Sequence, residues 1–151
     1  MIKKTIFLVL LLVLFSCNKE IEVVYCSNFF LFNNTGRLIE MRNGSKYLEI
    51  VRNGTESWLY TTEVSSDFEK VSLKRIIDEN EIRFKNVSIY DVTQSENTLL
   101  KKWTYEDRNK EGKQLYRLSD SELIVSDESS TSCLKISYNY IFIINPEDVG
   151  L

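Results

Sequence analysis

Apolar and polar residues alternate along most of this chain with the two-residue period of half-buried β-strands, and turn signals cut the alternation at short intervals. Asn43-Gly44 and Asn53-Gly54 are the strongest of these signals, because both central residues of a type I′ hairpin turn need positive φ. They predict three short strands, about 37–42, 45–52 and 55–64, folding as a meander. Val71, Leu73 and Ile77 alternate with polar neighbours, as do Ile82 and Phe84, and the phase slips at Asn86 before Val87 and Ile89. That reads as a long hairpin with a bulge near Asn86. A helix from Ser66 competes over 66–80: Ser66-x-x-Glu69 has the form of a capping box, and Phe68, Val71, Ile76 and Ile77 share a helical face. The abundance of β-branched residues tips this segment toward strands. Further strands are expected around 99–105, 114–118, 122–126 and 134–144. In the last of these, Tyr138, Tyr140 and Phe142 share one face while Asn139, Ile141 and Ile143 take the other. A strand apolar on both faces is either central in a sandwich or lines a barrel beneath an outer cover. The expected fold is all-β: a single antiparallel β-barrel or β-sandwich of about 8–10 strands after an N-terminal signal segment.

That first segment has its own pattern. Lys3 and Lys4 precede an unbroken apolar run from Ile6 to Phe15, ended by Ser16 and Cys17. As a helix the run would reach roughly 15 Å, about half of a hydrocarbon core, which suits a secretory h-region and not a permanent span. Leu14-Phe15-Ser16-Cys17 resembles the lipobox of bacterial lipoproteins, with an aliphatic residue three before the Cys and a small one immediately before it. The resemblance implies lipidation of Cys17, cleavage before it, and attachment to a membrane through acyl chains such as palmitate. Residues 1–16 are then a signal peptide, 17–25 a tether and 26–151 the folded domain. Asn18 stands where inner-membrane lipoproteins of enterobacteria carry Asp, so the resemblance favours the outer membrane of the cell envelope. Asn18-Lys19-Glu20-Ile21-Glu22 is similar to the short export signals of surface-exposed lipoproteins and equally reads as a solvated tether, so periplasmic face and cell surface both stay open.

Composition narrows the chemistry. The 151 residues contain no His and no Ala and carry a formal charge of -3, which becomes more negative once Lys3 and Lys4 are removed. Without His, the Ser-His-Asp and Cys-His arrangements and imidazole zinc sites are excluded. An acidic surface argues against nucleic acid as partner. The five glycines are scattered and form no phosphate loop. The carboxylate clusters Asp67/Glu69, Asp78/Glu79/Glu81, Glu106/Asp107, Asp120/Glu122 and Asp127/Glu128 fall in or beside predicted turns and read as solvated groups. No catalytic residue, metal or cofactor is expected.

With Cys17 committed to lipid, Cys26 and Cys133 form an even pair in an oxidising compartment and are expected to bond. Such a bridge would close a loop of roughly a hundred residues and stabilise the fold by up to about 4.7 kcal/mol. Two buried free thiols are the other reading. Among the aromatic residues most must be core, but Trp58, Trp103, Tyr138 and Tyr140 are the candidates for a ligand-facing stripe.

Residues 115–126, Leu-Tyr-Arg-Leu-Ser-Asp-Ser-Glu-Leu-Ile-Val-Ser, are similar to the late strand pair of lipocalin-like domains in small bacterial lipoproteins. That resemblance implies a cup-shaped barrel holding a small apolar or amphiphilic ligand. Val24-Tyr25-Cys26 with the late Cys133 resembles the periplasmic lysozyme-inhibitor lipoproteins, whose small barrels are tied by a disulfide. The function expected is therefore non-enzymatic: a lipocalin-like binding module of the envelope, or a protein–protein interaction module or inhibitor of a cell-wall enzyme.

Overall fold

The computed structural model describes residues 20–62, 64–78, 84–130 and 132–151. The signal segment, Cys17, Asn18 and Ile82 lie outside the described residues. The described chain forms two four-stranded sheets packed as a sandwich, so of the two expected architectures the sandwich is the one realised. The first sheet has the order β4–β1–β8–β7, built from β4 (Thr55–Thr61), β1 (Glu22–Asn33), β8 (Cys133–Ile144) and β7 (Glu122–Ser129). The second has the order β3–β2–β5–β6, from β3 (Lys46–Val51), β2 (Ile39–Asn43), β5 (Asn86–Asp91) and β6 (Thr98–Thr104).

All pairings are antiparallel except that of the first and last strands: β1 and β8 run parallel at the centre of the first sheet, Glu22 opposite Cys133 through Asn33 opposite Ile144. These two central strands read as continuous apolar runs, with Leu31 and Phe142 fully buried and Ile141 and Ile143 half-buried. Phe29-Phe30-Leu31-Phe32 and Tyr140-Ile141-Phe142-Ile143 are such runs, lying side by side. β1 begins at Glu22, four residues inside the expected tether.

The inner faces of the two sheets make one core, in which Leu31, Ile39, Val87, Ile89, Phe142 and Ile144 are fully buried. Trp103 lies among them, 1% exposed, edge-on to Phe142 at 5.5 Å, its Nε1 donating to the Lys113 carbonyl at 3.2 Å.

Four sequence expectations are corrected. The meander is broken: Asn43-Gly44 joins β2 to β3 as a hairpin, but Asn53-Gly54 carries the chain from β3 in the second sheet to β4 in the first. Residues 66–78 are not strand. They form α1 (Phe68–Val71), capped by Asp67 and not Ser66, and α2 (Leu73–Asp78). The helical period puts Val71, Leu73, Ile76 and Ile77 into buried positions together, and Phe68 packs on Tyr25 at 5.6 Å and Tyr138 at 4.8 Å. Residues 114–118 form a loop whose Leu115 and Tyr116 plug the core, with the Gln114 N–H donating at 2.7 Å to the Asp120 carboxylate in place of a strand neighbour. Bulges occur elsewhere than at Asn86: Phe29/Phe30, Met41/Arg42 and Ile89/Tyr90.

Candidate functional site: the outer face of the first sheet

Side-chain alternation along the parallel pair decides which residues leave the core. Asn28 Nδ2 donates to Asn139 Oδ1 at 2.7 Å, and Cys26 Sγ lies 3.0 Å from Ser137 Oγ, so these four share a face. Two residues further along the same face stand Phe30 and Ile141, then Phe32 and Ile143, opposite the inward Leu31 and Phe142. On β4 the ring of Trp58 stacks edge-on against Phe30 at 5.2 Å. On β7, Ile124 lies opposite Asn139.

Together Phe30, Ile124, Asn139 and Ile141 line a shallow depression of about 280 Å³, with Glu56 on its rim. Trp58 is 63% exposed and Ile124 50%, and both are solvent-facing apolar groups. Lone exposed apolar side chains are ordinary; here the exposed Trp58 and Ile124 flank the buried Phe30 and the half-buried Ile141 across the sheet. Glu122, opposite Ile141 on β7, extends that acidic rim.

The residues singled out in the sequence are dispersed. Trp58 is in this cluster, but Trp103 is in the core, and Tyr138 and Tyr140 point to the inner face, Tyr138 against Phe68 and Tyr140 against the core with its phenol pKa raised by burial. They share no cavity. Between Phe29, Leu59, Leu73, Ile76 and Leu115 the open space is about 10 Å³, about the least that one water requires. Among the described residues this space is too small for a fatty acid, and it is lined by apolar and aromatic side chains alone. Phe30, Ile124 and Ile141 were not among the site residues expected from the sequence, although the two-faced strand at 138–143 and the run Leu123-Ile124-Val125 were signals of apolar surface beyond one core.

The expected Cys26–Cys133 bridge is absent, and both thiols are free. Register forbids it: Cys26 is opposite Ser137 and Cys133 opposite Glu22, so the two are four positions apart along adjacent strands, about 13 Å. Of the carboxylates, Asp67 caps α1 and Asp120 is held below its ordinary pKa, its burial outweighed by Arg117 and the Gln114 N–H. Asp127 and Glu128 lie within β7, not in a turn. Among the described residues no group of three acidic or Cys side chains is placed to hold a metal, and no helix is long and apolar enough to cross a membrane. Compared with known proteins, the chain matches no family, no curated protein and no solved structure.

Proposed function

We propose that this chain is a non-enzymatic envelope lipoprotein, held to the membrane by acyl groups on Cys17, whose folded domain binds a protein partner through the outer face of its first sheet. The cluster of Trp58 over Phe30, with Ile124 and Ile141 beside it, carries this reading. A large exposed indole beside a depression is the typical anchor of a protein interface. The narrowness of the space between Phe29, Leu59 and Leu115, about 10 Å³, supports this interaction reading over a lipocalin-like cup for a small apolar ligand.

The reading is tested in cells with a photo-crosslinking phenylalanine placed at position 58, and at position 110, an exposed site outside the sheets, as control. A discrete adduct at 58, absent at 110 and lost on Ile124→Asp, is the expected result. Identical adducts at both positions, or none at 58, would overturn it. Cys17→Ser should abolish lipid labelling and leave an unprocessed precursor; normal processing of that variant sinks the anchor.

A further inference from the structure

A sheet edge is a row of unpaired N–H and C=O groups, and proteins normally blunt such edges with bulges, charges or cover. Three of the four edges here are blunted by bulges. β4, β3 and β6 are each bulged against their neighbour, and β3 and β6 carry Lys46, Lys101 and Lys102. β7 differs. It pairs with β8 without a register shift from Glu122 opposite Ile141 to Ser129 opposite Leu134, and every one of its eight residues is exposed. It contains no Lys, Arg, Pro or Gly. Its Leu123, Ile124 and Val125 are 50%, 50% and 54% exposed, and among the described residues no strand lies on its free side.

Charge selects the occupant. Glu122, Asp127 and Glu128 bracket the apolar triplet, and Lys135, opposite Glu128, is the cation facing them across the ladder. A second copy pairing antiparallel about this triplet would bring acids together: Asp127 against Glu122, Glu128 against Glu122, or Glu128 against Asp120, according to register. Like charges directly opposed destabilise a ladder.

We propose that β7 is a strand acceptor, taking an extended segment of a partner protein, apolar in its middle and flanked by Lys or Arg, into main-chain pairing at the edge of the first sheet. This rests on the interaction reading above and names the chemistry of the partner.

The probe is the peptide acetyl-Lys-Lys-Val-Thr-Val-Thr-Lys-Lys-amide, compared with its counterpart bearing Glu for each Lys, added to the full mature chain at low ionic strength. The Lys peptide should slow exchange of alternate amides over 122–129 saturably and bind at least about tenfold more tightly than the Glu peptide. Glu122→Lys with Asp127→Lys should invert that preference; if this pair fails to melt cooperatively, Glu122→Gln with Asp127→Asn should abolish it. Unaffected β7 amides, a preference unmoved by the substitutions, or a dimer whose β7 amides are already protected would each overturn the proposal. Crosslinking at position 58 that persists while the peptides fail removes the strand acceptor and leaves the interaction reading standing; loss of that crosslink with peptide pairing intact does the reverse.

Discussion

Asn28 and Asn139 are 111 positions apart in sequence and 2.7 Å apart at their amide groups. The same separation recurs in Cys26 with Ser137 and in Asn34 with Asn145, whose side chains meet at 2.8 Å. Three polar contacts along one parallel ladder thus mark its register. A parallel pair cannot be set by a tight turn, so side chains must select among slipped alignments.

Asn28→Ala should therefore destabilise the fold by about 1–3 kcal/mol, the cost of leaving a half-buried amide partner unpaired. A double-mutant cycle with Asn139→Ala, read from urea midpoints, should return a coupling of about 0.5–1.5 kcal/mol. A coupling near zero would show that the amide pair does not hold the register.

The cysteines make a second test. In a Cys17→Ser chain extracted without reductant, two thiols should react with an alkylating reagent after denaturation. In the native chain Cys133, half-buried at the start of β8, should react well before Cys26, which is buried beside Ser137. Recovery of a Cys26–Cys133 cross-linked peptide would refute the register.

Trp103 and Trp58 should behave as opposites. Trp103→Ala empties the centre of the core and should cost about 3–5 kcal/mol, while Trp58→Ala, on the outer face, should change stability by under about 1 kcal/mol. Acrylamide should quench the Trp58 emission and spare Trp103. Titration with a fatty acid should leave the Trp103 emission unchanged, since the space between Phe29, Leu59, Leu73, Ile76 and Leu115 is only about 10 Å³; a saturable shift of Trp103 emission would contradict tight packing there.

A pH effect follows from Asp91. The Thr93 hydroxyl, the Thr93 N–H at 2.8 Å and the Arg37 guanidinium at 3.3 Å hold its carboxyl below the ordinary carboxylate pKa. A folded-state pKa lower than the unfolded one adds stability that is present above the unfolded value, about pH 4, and is lost as pH falls through the folded value. Asp91→Asn should therefore lower stability at neutral pH and flatten its decline below pH 4. An acid limb unchanged in the variant would show that Asp91 is not linked to folding.

Local physics was sufficient for part of this protein. Short apolar and β-branched stretches bounded by turn signals marked β6, β7 and β8, and Asn-Gly chemistry placed the β2–β3 hairpin, because each depends only on neighbours in the chain. The aromatic stripe at 138–143 also declared itself two-faced, as a central strand must. Tertiary contacts decided the rest. Two nearly identical signals, Arg42-Asn43-Gly44 and Arg52-Asn53-Gly54, parted ways: the second is captured by β1 and the segment after it, where Gly54 N–H donates to the Asn33 carbonyl at 2.7 Å and Gly36 N–H to the Asn53 side chain at 2.8 Å. The apolar set Phe68, Val71, Ile76 and Ile77 fits either period, and tertiary packing took the helical one, with Val71, Ile76 and Ile77 buried and Phe68 against Tyr25 and Tyr138. Trp58 stood out in the sequence as an aromatic residue, but its place on the outer face beside Phe30, Ile124 and Ile141 required the order β4–β1–β8–β7. No local pattern could show that order, because it joins the two ends of the described chain.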